Sequence, residues 1–215
     1  MNDTEHPEFC EAYAVWRNNG LTPLTAINGS AELLRRGAFG SLTDPQQQAI
    51  ATILLNTQQA MYHWDLGTDY LHARYTPFTP TPLSVAALVA DVQQRLQQDF
   101  SRLTVDIPAE IVPMHGEYVQ LVAALCYLIY PVDQLHECTN RAPHIHVHAL
   151  PDQTLHFNMI SSLSPQTKVA HAERWLQSPG TFLQTAALII QRHSGHIGVK
   201  QVAEGIGFTF TLPMA

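Results

Sequence analysis

The chain carries twelve histidines in 215 residues, and the most closely set stand at 144, 146 and 148. Alternate residues of a strand point to one face. His144, His146 and His148 therefore share a face, with His156 on the neighbouring strand and the same side. Imidazole nitrogens are ligands for Zn2+, so the four are a candidate metal cluster. Two arguments oppose it. Spacing of two residues along a strand separates side chains by ~7 Å, too wide for one ion without help from the next strand. Polar residues alternating with Ile145 and Val147 are also what a half-exposed sheet produces. The expectation is no metal and no other cofactor. Elsewhere His63 precedes Trp64 and Asp65, and a histidine beside an aspartate can be oriented for proton or phosphoryl transfer; a histidine on a helix surface is the plain alternative.

These residues need elements to place them. Apolar residues at 24, 27, 31 and 34 recur at helical spacing, predicting one helix over about residues 8–36 with a disturbance at Asn18-Asn19-Gly20. Pro23 either starts a helix, with Thr22 as N-cap, or kinks a longer one. Gly20 costs a helix interior about 1 kcal/mol against alanine. Arg35-Arg36-Gly37 gives a basic last turn and a glycine cap. Thr43-Asp44-Pro45 opens a second helix reaching about Tyr75, striped by Ile50, Ile53, Leu54, Met61, Trp64, Leu66 and Leu71. An αα-hairpin cannot bury such stripes alone, and pairing two hairpins into a four-helix bundle solves that.

The proline- and threonine-rich stretch from Tyr75 to Pro82 reads as the domain boundary. Beyond it the patterns predict a helix over 83–100, a strand over 103–107 and an apolar helix over 116–137 interrupted by Pro131. Strands at 144–148 and 155–159, a helix over 182–193, and a hairpin of 197–200 with 206–212 follow.

Composition narrows the class. Hydrophobic residues make up 46 % and charged residues 13 %, which excludes a disordered chain. A net charge of −7 argues against binding nucleic acid or an anionic lipid surface. No apolar run nears the ~20 residues that span a bilayer, and the acidic, polar start is no signal peptide. Cys10, Cys126 and Cys138, odd in number and without metal-ligand spacing, read as reduced thiols of a cytoplasmic protein.

Thr22-Pro23-Leu24-Thr25-Ala26-Ile27, followed by Glu32-Leu33-Leu34, resembles the first dimerisation helix of sensor histidine kinases. In that family the phosphorylated histidine stands four residues before this threonine and is followed by an acidic residue. Asn18 and Asn19 occupy those positions here. An amide has no basic nitrogen to accept a phosphoryl group, though it can hydrogen-bond a partner; a merely solvated polar residue is the plain alternative. The element order after residue 82 is that of the same kinases' ATP-binding domain. Pro82-Leu83-Ser84-Val85, His193-Ser194-Gly195-His196-Ile197 and Gly207-Phe208-Thr209-Phe210-Thr211-Leu212-Pro213 resemble its opening and closing signatures.

The resemblance also implies where nucleotide chemistry should sit. The family's phosphate- and magnesium-holding asparagines fall on Tyr127 and Pro131. Its adenine-reading aspartate falls near Ser161, where the accompanying glycines are gone. Its second glycine turn falls on Ser178-Pro179-Gly180-Thr181-Phe182, with Phe182 projecting where a phosphate should sit. Together these imply a degenerate member: an α+β fold, with a helical-hairpin dimerisation domain over 1–77 forming a dimeric four-helix bundle. An ATPase-like α/β sandwich over 78–215 would follow it. The implied function is a catalytically inactive, homodimeric binding or regulatory module of two-component signalling. It would dock a response regulator receiver domain or a kinase through Asn18, Asn19, Thr22 and Thr25. The alternatives are a dimeric histidine phosphotransferase using His63, or a histidine-rich, metal-responsive dimer.

Overall fold

The computed structural model describes residues 6–96, 104–108, 113–134, 144–151, 153–161, 182–202 and 205–214, together with 174 and 177. The chain divides into two compact units at Thr76/Pro77. It is an α+β protein: two long N-terminal helices in the first unit, and a mixed sheet with helices in the second.

In the first unit, α1 spans His6–Arg35 and α2 spans Asp44–Tyr75. They pack as a hairpin. Pro23 lies inside α1, so it does not start the helix. It removes the amide that would bond the Asn19 carbonyl, while just upstream the Thr22 hydroxyl donates to the Asn18 carbonyl at 2.7 Å. The helix ends on Gly37, whose φ of 76° is the left-handed conformation that glycine adopts freely. Gly37 N–H bonds Leu34 O at 2.9 Å and Ala38 N–H bonds Leu33 O at 3.1 Å, the paired bonds of a Schellman cap. At the start of α2 the Gln46 side-chain oxygen accepts the Thr43 N–H at 2.9 Å, satisfying an amide that helix geometry leaves open.

Gly20 lets the helices approach closely. A Cβ placed there would overlap the indole of Trp64. That indole also stacks at a tilt on Trp16, with ring centroids 4.4 Å apart, and its Nε1 donates to Arg17 O at 3.2 Å. Arg17 in turn pairs with Asp65 at 3.0 Å. Glycine's propensity cost is thus offset by a tryptophan seated on the bare backbone.

The second unit begins with β1 (Thr81–Leu83) and α3 (Val85–Leu96), capped at Ser84, then β2 (Thr104–Asp106) and β3 (Met114–Gly116). The remaining elements are α4 (Tyr118–Gln134), β4 (His144–Ala149), β5 (Thr154–Ser161), α5 (Phe182–Arg192), β6 (His196–Val202) and β7 (Gly205–Pro213). Strands β1 and β3 form a small antiparallel pair, which the sequence patterns did not predict. The main sheet runs β2-β4-β5-β7-β6, with β2 parallel to β4 and the other pairs antiparallel.

Alternation along these strands gives the sheet two unlike faces. Ile145, Val147, Leu155, Phe157, Met159, Phe208, Phe210 and Leu212 are buried, with Phe157 stacked on Phe210 at 4.4 Å across strands. Helices α4 and α5 pack on that layer, and α3 lies against α4. Every residue of α4 from Gln120 to Ile129 is buried. The helix continues through Pro131 to Gln134, so the interruption expected at Pro131 is not there. Proline removes only the amide bond to the Tyr127 carbonyl, one turn from the helix end, and the buried length of α4 outweighs it.

Candidate functional site

On α1, Asn18, Asn19, Thr22 and Thr25 are all exposed. Spacing of four and three residues puts Asn18, Thr22 and Thr25 on one side of the helix, with Asn19 a quarter-turn away. The Thr22 hydroxyl is engaged by the Asn18 carbonyl. Within the group, the amides of Asn18 and Asn19 and the hydroxyl of Thr25 are the groups presented outward. His63 on α2 is exposed as well. Asp65, expected to orient it, instead turns to Arg17, because residues two apart on a helix face different ways.

In the second unit, Tyr127 is buried on α4 and Phe182 is the half-buried first residue of α5. Their rings pack at a tilt with centroids 5.8 Å apart. Pro131 follows Tyr127 by one turn of α4. Ser161 ends β5, in register with Ile206 of β7. Gly180 lies outside the described residues. The contact between Tyr127 and Phe182 is apolar stacking, and proline adds no donor or short amide oxygen.

On the sheet face opposite the helices, His144, His146 and His148 line up along β4, and His156 stands directly opposite His148. Thr104 Oγ1 meets His144 Nδ1 at 2.7 Å, and Asp106 Oδ2 meets His146 Nδ1 at 2.9 Å. His148 Nε2 and His156 Nδ1 are 3.0 Å apart. Burial, helped by His148, Lys200 and His146 nearby, pushes the His156 pKa below the ordinary imidazole value. Among the described residues, no three His, Cys, Asp or Glu side chains are grouped to hold a metal ion.

Sequence reasoning missed a polar clamp at the start of the second unit. Glu117 Oε1 accepts the Thr79 N–H at 3.0 Å, and Glu117 Oε2 lies 3.3 Å from Arg192 Nε, with both side chains about nine-tenths buried. The Arg192 guanidinium lies 5.4 Å from the centre of the Phe78 ring. Phe78 also meets His193 edge-on at 4.9 Å. His193 is buried; its Nε2 accepts the Glu117 N–H at 2.9 Å and its Nδ1 donates to Ile189 O at 2.7 Å. Burial pushes its pKa down. Glu117, Arg192 and Phe78 are far apart in sequence and form no motif, so only His193, in the closing signature, gave any signal.

No helix among the described residues is long and apolar enough to cross a membrane. No protein-family model matches the chain, and no curated protein matches it in sequence. Solved structures do match. Full-length ShkA in complex with AMPPNP aligns over 95% of this chain with a TM-score of 0.68 at 15% identity; the chain spans 46% of ShkA's length. The Acinetobacter baumannii histidine kinase AdeS aligns over 92% of this chain and 98% of its own, with a TM-score of 0.61 at 14% identity. The nucleotide-free catalytic domain of the histidine kinase ThkA covers 65% of this chain at a TM-score of 0.52 and 17% identity. Two long helices, then a five-stranded mixed sheet backed by helices, aligned nearly end to end with AdeS: the fold of this chain is that of the histidine kinases.

Proposed function

We propose that this chain is a histidine-kinase-like protein of two-component signalling that works as a homodimeric binding or regulatory module rather than as a kinase. One observation carries the reading: the rings of Tyr127 and Phe182 pack on each other at the two positions that, by the family resemblance, should hold phosphate and magnesium. A phenol and a phenyl ring there replace the short amide oxygen by which the family holds Mg2+ and phosphate. At the other end of the reaction, exposed Asn18 supplies an amide where a phosphoryl-accepting imidazole is required.

Dimerisation is supported by what the hairpin leaves uncovered. Val15, Trp16, Ile27, Leu33, Ile53 and Leu55 are exposed by between 42% and 56%, apolar surface of which a second hairpin would cover part. Asn18, Asn19, Thr22 and Thr25 would then offer a polar surface to a receiver domain or to a catalytically competent kinase. A cytoplasmic setting is in keeping with the buried thiol of Cys126.

The test is ligand-dependent stability, since anything bound only to the native state must raise its melting temperature. Millimolar Mg-AMPPNP, the nucleotide carried by ShkA, is expected to leave the melting temperature unchanged, and Mg-ATP to leave no phosphate on the chain. A saturable rise in melting temperature would overturn the reading. Stable phosphohistidine at His63 after incubation with a phosphorylated receiver domain would replace it with a phosphotransferase.

A further inference from the structure

The histidine face of the sheet has a geometry that the signalling proposal does not use. His148 and His156 are directly opposed on antiparallel strands, the closest approach two side chains make across a sheet. Their rings stand 4.7 Å apart by centroid and 89° by plane, and the ring of His146 is 5.3 Å from that of His148. Two imidazoles bound to one tetrahedral ion, each with its nitrogen about 2 Å from the metal, have centroids about 5 Å apart. The nitrogens facing each other, His148 Nε2 and His156 Nδ1, are at 3.0 Å. That contact is a hydrogen bond, so an ion would displace its proton to the ring's other nitrogen or to solvent. The two nitrogens would then open by a few tenths of an ångström to bracket the ion at that bond length.

The surroundings fit the same chemistry. His146 gives its Nδ1 to Asp106 at 2.9 Å, which leaves Nε2 outward with its lone pair, the carboxylate-imidazole pairing that orients metal-ligating histidines. Soft sulfur ligands are absent from the group, and imidazole suits Cu2+, Ni2+ and Zn2+.

We propose that His148 and His156 form a two-imidazole site for a divalent transition-metal ion on the sheet face away from the helices. Water fills the remaining positions, and His146 is the nearest additional ligand. The site uses no residue of the hairpin or of the Tyr127–Phe182 contact, so it stands or falls independently of the signalling role.

The experiment is calorimetric titration of the full, tag-free chain with Zn2+ and with Cu2+, alongside electron paramagnetic resonance of the Cu2+ form. One saturable equivalent per chain with hyperfine coupling to imidazole nitrogen is expected. His148→Ala and His156→Ala should each weaken it about tenfold or more, and His146→Ala less. His63→Ala and His115→Ala should leave it unchanged. Far-UV melting of each variant separates lost ligation from lost fold, and His148→Gln supplies a variant of closer shape. Absence of saturable binding, oxygen-only coordination of Cu2+, or folded His148 and His156 variants that bind like the parent would each overturn the site.

Discussion

The two units solve burial differently. In the sandwich, Phe157, Leu155, Ile145 and Val147 are wholly enclosed between sheet and helices, so its core closes within one chain. In the hairpin, among the residues whose burial is described, Ala31, Ile50, Leu66 and Ala73 are the buried apolar ones, while Trp16, Ile27, Leu33, Ile53 and Leu55 stay exposed. A pair of helices has one mutual contact line and cannot cover an apolar stripe on its outer side. The lesson is that the sandwich closes its core within the chain, whereas the hairpin leaves large apolar side chains exposed.

The sharpest test of that contrast is truncation of the closed core. Phe157→Ala removes a fully buried ring stacked on Phe210 and should cost the sandwich about 3–5 kcal/mol, read by denaturant unfolding and unchanged by protein concentration. A concentration-dependent loss would mean that the sandwich core, too, is completed by a partner. Next in size, Gly20→Leu must displace the Trp64 indole. It should destabilise the hairpin by about 1–3 kcal/mol although leucine is the better helix former. Tryptophan fluorescence would report the displaced ring, and adding Trp64→Ala should recover much of the loss; an undisturbed emission spectrum would break the explanation of Gly20.

A smaller effect is expected from charging the uncovered face. Ile27→Asp or Leu55→Asp should leave the isolated hairpin folded but weaken self-association by at least about tenfold, or 1.4 kcal/mol, in analytical ultracentrifugation. A parent chain that sediments as a monomer even at high micromolar concentration would end the dimer proposal.

The smallest effect concerns pH. Buried His193 titrates in the folded state below its ordinary value. Between those two values the unfolded chain binds a proton that the folded chain does not. Stability is therefore complete above the ordinary imidazole range and falls as pH drops through it, by at most about 1.4 kcal/mol per pH unit. His193→Gln, which retains an acceptor for the Glu117 N–H, should flatten the slope of melting temperature against pH. His156, shifted the same way, leaves part of it in place. A slope unaltered by the substitution would show that His193 is not the group responsible.

Much of the architecture was legible because helical and strand periodicities are local. The Gly37 cap, the Thr43 start, the strands at His144 and Thr154 and the closing hairpin all follow from residues within a few positions of one another. What misled was equally local. Pro131 read as an interruption because a lone helix is weakened there, yet α4 is buried through Ile129 and runs to Gln134. The sequence patterns put Gly116 at the front of the helix and give Met114 and His115 no element, because the three residues of β3 carry too little alternation to declare a strand.

The sequence by itself determined which groups are available for chemistry: amides at 18 and 19, a phenol at 127, an aromatic ring at 182 and four imidazoles on one strand pair. Side-chain identity needs no neighbours to be known. Only the tertiary structure decided which of these meet. Tyr127 and Phe182, 55 positions apart in the chain, stack, Asp65 goes to Arg17 rather than His63, Trp64 rests on Gly20, and Glu117 holds Thr79 and Arg192. Such contacts are fixed by helix register and strand pairing, which are set by burial of the whole core rather than by any short stretch.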